Sequence, residues 1–274
     1  MLVKVLLENK TSSPDLGCEH GLSLYIETQK HKILFDMGAS TIFLENAKKM
    51  GVDLSLVDIG ILSHGHFDHG GGLLSFLEIN KKATIYVHEK AGQGHFALRS
   101  NEKIDNIGIL PQIMQESKVV CTKGDWKVDE GILLFSTVEK KQLCSKANEV
   151  LLMEKDGEYV KDSFGHEQNL LLTEDGKKIL ITGCAHKGIV NIVDRAMELA
   201  GGPLDVVIGG FHLSNPKAGQ CESDEIIAGV AAYLNSYATK YYTFHCTGLE
   251  AYHKLKLIMG DKITYLAAGN EMVL

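Results

Sequence analysis

Basic runs, Cys-x-x-Cys pairs, proline-rich linkers and long apolar stretches are all missing from this 274-residue chain. Without a basic run there is no electrostatic footprint for nucleic acid, and the net charge of −7 points the same way. No stretch approaches the roughly 18 consecutive apolar residues of a membrane span, and the opening "MLVKVLLENKTSS" lacks a signal-peptide layout. Six cysteines stand scattered, Cys18, Cys121, Cys144, Cys184, Cys221 and Cys246, which argues against a disulfide framework or a cysteine-rich zinc finger and for a reducing, cytoplasmic setting. Only four prolines occur, and no repeat or low-complexity segment interrupts the chain. One domain spanning 1–274 is the economical expectation.

What is present is a 45% hydrophobic fraction arranged in short runs. "MLVKVLLEN", "LSLYIETQ" and "HKILFDMG" read as strands, the last two joined as a hairpin across "TQKH". "STIFLENAKKMG" has helical spacing with Gly51 as its C-terminal cap, and "GGLLSFLEIN" a helix opening at glycines. Residues 92–118 show no clean period and read as a loop-rich insertion or lid. In the second half, "KDGE" and "EDGK" mark hairpin turns. Strands then alternate with helices, one of them capped by Ser223, up to a last strand "ITYLAAGNEMVL". Two runs of strands, each followed by strand–helix units, predict two packed sheets with helices outside, a four-layer αββα sandwich of the α/β class.

The chemistry is concentrated in "ILSHGHFDHGGG", where three histidines and an aspartate fall within six residues. An apolar strand feeds directly into the cluster, which places it at a sheet edge rather than in a solvated loop. On extended chain His64 and His66 face the same way and can grip one ion. Asp68 and His69, further round the turn, can face a second. Imidazole and carboxylate suit zinc, iron or manganese, and two ions about 4 Å apart form a clamp for hydrolysis.

"SHGHFDHGGG" resembles the His-x-His-x-Asp-His signature of the metallo-β-lactamase superfamily, and "LFDMGAS" resembles the Asp-x-Gly element that precedes it. The resemblance implies an αββα fold holding one or two divalent metal ions, usually zinc, sometimes iron or manganese. Together, "LITGCAHKGIVN", "GGFHL" and "HCTG" are similar to a metal-dependent hydrolase branch that includes dihydropterin–ribofuranosylaminobenzene phosphate synthases. Beyond His64, His66, Asp68 and His69, the expected ligands are His186, at a strand end, and His245, where the superfamily has its final histidine. Cys184 stands where many members carry a bridging aspartate. A thiolate ligand and a small buried residue are equally open readings there. His166 rivals His186 as the third ligand of the first metal. Asp36 is expected to orient a ligand histidine through its ring N–H rather than to bind metal.

Asp68 is expected to orient or deprotonate the attacking water, and His212 in "GGFHL" to protonate the leaving group, with a core histidine as the alternative. His88 ends a strand and is placed on the substrate side. Arg99 and His95 lie in the candidate lid, where they would meet an anionic group or only solvent. His20, His31 and His253 read as surface residues and Cys246 as a buried thiol. Three functions stay open: hydrolysis of a small-molecule ester or phosphoester, a synthase-type transfer from a phosphorylated pterin using Arg99, Lys187 and the tyrosines near Tyr241, and a non-catalytic metal- or ligand-sensing module. The partner expected in each case is a small molecule, with neither nucleic acid nor membrane, and a homo-oligomer is compatible with all three.

Overall fold

The structure, a computed structural model, describes residues 1–215 and 219–274. The chain opens with strands β1 (Leu2–Leu7), β2 (Ser23–Glu27) and β3 (Lys32–Phe35), then helix α1 (Ile42–Lys49) and β4 (Ile59–Leu62). One helical turn, α2 (Phe67–Gly70), precedes α3 (Leu73–Ile79) and β5 (Thr84–His88). Short strands β6 (His95–Leu98), β7 (Ile104–Asn106) and β8 (Val119–Thr122) come next. They are followed by β9 (Asp125–Asp129), β10 (Ile132–Phe135), β11 (Leu151–Lys155), β12 (Glu158–Lys161), β13 (Asn169–Glu174) and β14 (Lys177–Ile181). The remainder runs α4 (Ile189–Ala200), β15 (Val206–Gly209), β16 (Ser214–Asn215), β17 (Gln220–Cys221), α5 (Asp224–Asn235), β18 (Lys240–Thr243), α6 (Leu249–Met259), β19 (Ile263–Tyr265) and β20 (Glu271–Val273).

The chain divides into two compact units. Unit 1 comprises Met1–His95, Ile107–Thr122 and Leu266–Leu274, and unit 2 comprises Phe96–Asn106 and Lys123–Tyr265. Unit 1 is built on a seven-stranded sheet ordered β20-β1-β2-β3-β4-β5-β8. Its pairs are antiparallel from β20 to β3 and parallel from β3 to β8. The four-residue turn at 28–31 lets β2 and β3 run antiparallel, whereas parallel neighbours need longer crossovers, which α1 and α3 supply. Leu6, Leu34, Met37, Phe43, Phe76 and Ile85 form its core.

Unit 2 repeats the plan in the order β19-β18-β15-β14-β13-β10-β9. The β13/β14 hairpin turns on Asp175 and Gly176, both at positive φ, as its "EDGK" sequence requires. From β14 onward the strands are parallel and α4, α5 and α6 make the crossovers. Ser223 caps α5, its hydroxyl accepting the N–H of Ile226. Phe135, Leu180, Val207, Ile227, Tyr241 and Leu255 lie in the shared core.

Two of the sequence expectations need correction, and two features go beyond them. Residues 92–118 are not simply loop, because β6 and β7 form a hairpin that joins β11 and β12 in a four-stranded sheet. The last strand is two: β19 pairs with β18, and after a turn at Gly269 (φ 96°) β20 pairs with β1. Asp68 and His69 sit on a helical turn whose N-cap is His66. Strand β9 was not anticipated. Among the described residues no helix is long and apolar enough to cross a membrane.

Candidate metal centre

In both units the residues that carry chemistry follow the parallel strands. In unit 1, Asp36 follows β3, His64 to His69 follow β4, and His88 closes β5. In unit 2, Cys184 and His186 follow β14, His212 follows β15 and His245 follows β18. The carboxyl ends of parallel strands are where open α/β sheets place their ligands. Three of these positions, Asp36, His212 and His245, hold non-glycine residues in the left-handed region, as does Ala185 between Cys184 and His186. Such conformations cost about 1–3 kcal/mol each and persist where the surroundings enforce them.

The unit 1 cluster is buried and internally braced. Asp36, fully buried, accepts the Ser63 N–H on Oδ1 at 2.7 Å and the Ser63 hydroxyl on Oδ2 at 2.8 Å. The same Oδ2 lies 2.6 Å from His69 Nδ1. That contact fixes the His69 proton on Nδ1 and leaves Nε2 as the donor to a cation. The Ser63 hydroxyl proton is committed to Asp36, so His64 Nδ1, 2.8 Å from Ser63 Oγ, must donate to it. His64 Nε2 then faces His66 Nδ1 at 3.0 Å, and the His64 and His69 rings stand 4.2 Å apart. Two nitrogens on one tetrahedral zinc would be separated by about 3.3 Å, so this spacing accommodates an ion after a small relaxation. Asp68 Oδ2 lies 3.7 Å from His69 Nε2 and 3.3 Å from His20 Nε2.

The glycines of the cluster are there for close approach. A Cβ on Gly65, between the first two histidines, would lie 2.3 Å from the Ala91 carbonyl oxygen. One on Gly71 would lie 2.3 Å from the Ala39 oxygen and 2.7 Å from that of Phe67. Both obstacles are backbone, so the chain passes only where no side chain exists.

Unit 2 gathers Cys184, His186, His212, His245 and Cys246. One donor atom each from Cys184, His186 and His212 lies within 4.8 Å of the others, and the same holds for Cys184, His245 and Cys246. His186 is held from three sides. Asn148 Oδ1 lies 2.9 Å from its Nδ1 while Asn148 Nδ2 donates to its carbonyl at 2.7 Å. The buried Glu167 accepts the N–H groups of His186 at 2.6 Å and Lys187 at 3.1 Å. The Phe164 ring stacks on the imidazole with centroids 4.5 Å apart and planes 1° from parallel. Burial pushes the Glu167 carboxyl up, against the pull of the Lys187 ammonium and the two N–H donors. Burial likewise raises the Cys246 thiol, but the neighbouring Cys184 thiol and the His212 and His245 imidazoles hold it well below the ordinary range. The loops after β15 and β18 are tied by Thr247, whose Oγ1 accepts the Phe211 N–H at 2.8 Å.

Other expected residues lie elsewhere or are engaged. His166 is buried 3.3 Å from Asp162. His88 is buried, its Nδ1 accepting the Lys90 N–H at 3.2 Å. His95 is buried with its ring 5.8 Å from that of His66, so the surface reading of this residue is corrected. Arg99 Nε donates to Asp105 at 2.9 Å across the β6/β7 hairpin. Lys187 is buried with Nζ donating to the Ser136 carbonyl at 2.9 Å. The buried Tyr241 hydroxyl donates to the Leu234 carbonyl at 2.8 Å. His20 is partly exposed, as expected, and its Nε2 lies 3.3 Å from Asp68 Oδ2. Asn148 and Glu167 carried no signal in the sequence, being single polar residues with no telling spacing.

The description "Metallo-beta-lactamase superfamily" matches residues 16–218. A protein of Methanocaldococcus jannaschii described as uncharacterized is 30% identical over 257 residues, covering 93% of each chain. The 7,8-dihydropterin-6-methyl-4-(beta-D-ribofuranosyl)-aminobenzene-5'-phosphate synthase of the same organism is 29% identical over 249 residues, 85% of this chain and 82% of its own. Among solved structures, Tm1679, a metal-dependent hydrolase of the beta-lactamase superfamily, superposes with a TM-score of 0.85 at 26% identity, covering 100% of this chain and 99% of its own.

Proposed function

The chain belongs to the metallo-β-lactamase superfamily and has its fold, and from that premise we propose that it is a metal-dependent hydrolase of small-molecule esters or phosphoesters. The observation that carries this reading is the buried unit 1 cluster, with His69 locked by Asp36 in the tautomer a ligand needs. His64, His66, Asp68 and His69 are the proposed donors there. On the sequence pattern alone, His186 and His245 are proposed as further donors, with His166 as the rival to His186. Zinc is the proposed ion, with iron and manganese as alternatives that an imidazole–carboxylate set also suits. Such an ion, when bound, acidifies water toward neutral pH and polarises a carbonyl or phosphoryl oxygen. Asp68 is the group proposed to orient the water and take its proton, and His20 Nε2 lies 3.3 Å from its carboxylate.

The test is elemental analysis of the purified protein, followed by a panel of esters and phosphodiesters. Asp68→Ala and His66→Ala are expected to lower turnover about 100-fold or more, the scale of losing a group at the reacting atoms. Undiminished hydrolysis by either variant would sink the assignment. The second reading, a synthase acting on a phosphorylated pterin, is favoured by the name of the 29% identical relative. Turnover of that substrate with none on the hydrolytic panel would establish it. Bound metal without turnover on either would favour a sensing module.

A further inference from the structure

We propose that the outward face of the four-stranded sheet β12-β11-β6-β7 is the contact surface of a reversible homodimer, covered by the same face of a second copy of this chain about a twofold axis. This goes beyond the hydrolase reading and does not rest on it. Every side chain assigned to the contact lies in unit 2.

The strand registers and one ring contact define the face. Side chains alternate along a strand, and directly opposed residues share a side. In the β6/β7 hairpin Phe96 stands opposite Asn106 and Leu98 opposite Ile104. In β11/β12 Leu152 stands opposite Lys161 and Glu154 opposite Tyr159. The Phe96 and Tyr159 rings meet edge to face with centroids 4.7 Å apart, which puts both sets on one side of the sheet. The other side takes His95 and Ala97, both buried.

The outward side of an antiparallel sheet ordinarily carries polar residues. This one carries Ile104, Leu98, Phe96, Leu152 and Tyr159, at least one from each of the four strands, and none of them is buried. Leu98 is 40% and Tyr159 51% exposed. A contiguous apolar patch rimmed by polar residues marks an interaction surface.

The charges choose the occupant. Glu154 and Lys161 lie exposed on this face, opposite in sign, and neither is in an ion pair among the described residues. They stand toward opposite ends of the strands, Lys161 across from Leu152 and Glu154 across from Tyr159. A twofold axis lying in the interface, across the strands, therefore sets Glu154 of each protomer beside Lys161 of the other and the apolar row over itself. A face with both signs is complementary to its own copy, whereas a strongly acidic or basic protein would match only half of it. Four short strands about 4.8 Å apart make a patch well below the roughly 800 Å² per partner of a standard stable interface, so the dimer dissociates in the micromolar range.

Sedimentation velocity of the full-length protein from about 1 to about 200 µM tests this. The expected result is a monomer–dimer equilibrium that Tyr159→Glu and Leu98→Glu each weaken at least about 10-fold, the scale of losing one packed anchor. Both positions are exposed, and circular dichroism confirms that the variants fold. A charge swap checks the symmetry. Glu154→Lys alone should weaken the dimer by setting like charges together, and Glu154→Lys/Lys161→Glu should restore it. A chain that stays monomeric throughout overturns the proposal, and cosedimentation of that monomer with phospholipid vesicles would assign the face to a membrane surface instead. A dimer indifferent to both Tyr159→Glu and Leu98→Glu also overturns it, by placing the interface elsewhere. A double swap no tighter than Glu154→Lys overturns the twofold pairing of Glu154 with Lys161.

Discussion

Asp36 satisfies a serine N–H, a serine hydroxyl and a histidine ring with two oxygens, and it does so while fully buried. Replacing it with asparagine keeps the shape but puts an NH₂ where one acceptor oxygen stood, so either Ser63 or His69 loses its partner. Asp36→Asn is expected to weaken metal binding about 10- to 100-fold, the usual effect of removing the group that orients a ligand histidine. Competition against a fluorescent chelator measures it, and unchanged affinity would refute the orienting role. Gly71→Ala is the companion test of packing. Its Cβ would meet two backbone oxygens, at 2.3 and 2.7 Å, so the variant should lose about 1–3 kcal/mol in urea unfolding. At this scale the sequence was legible wherever spacing carried the message, as in His64, His66, Asp68 and His69. It was silent on Asn148 and Glu167, because a single polar residue acquires its meaning only from partners distant in the chain, here 38 and 19 positions from His186.

Elements were legible in proportion to how deeply they are buried. The strands β1, β3, β4, β13 and β14 announce themselves as apolar runs because most of their side chains face the core. Strand β9, reading DWKVD, lies at a sheet edge with four of its five residues exposed, and nothing in its composition separates it from a loop. The β6/β7 hairpin escaped for the same reason: only His95 and Ala97 of its strand residues are buried. Segment 145–150, which carries Asn148 to His186, is held by Glu222. Burial pushes that carboxyl up, but the N–H groups of Ser223 at 2.8 Å and Lys146 at 2.6 Å and the Ser145 hydroxyl at 3.1 Å bring it below its ordinary 4.5. A depressed carboxyl contributes stability above its unfolded pKa and loses it as pH falls through the folded value. Glu222→Gln should therefore cost about 2 kcal/mol at neutral pH, and the gap from wild type should narrow at an acid pH below the ordinary carboxyl value, as the depressed group is protonated. Urea midpoints at the two pH values decide it, and a gap independent of pH would show that the charge is irrelevant.

For the molecule as a whole, the proposed metals are part of the stability as well as the chemistry. A ligand that binds only the folded state at 100 times its Kd adds about 2.7 kcal/mol. Stripping with a chelator should lower the melting temperature, and zinc should restore it. A melting curve indifferent to both would argue that the clusters hold no ion in solution. Family membership was readable from the signature and the order of the motifs around it. The division into two compact units was not, because it depends on which distant segments share a core, and unit 1 is assembled from three separated stretches of chain.

That discontinuity bears on how the protein is made. Strand β1 emerges from the ribosome long before β20, one of its two neighbours, which is formed by residues 271–273. Throughout synthesis of the intervening chain, one side of β1 carries unmatched backbone donors and acceptors, the condition under which strands recruit the wrong partner. Nascent chains stalled before Glu271 should accordingly be more prone to cross-pair with one another than chains that include β20, making the β1–β20 pairing a closure step of vectorial folding.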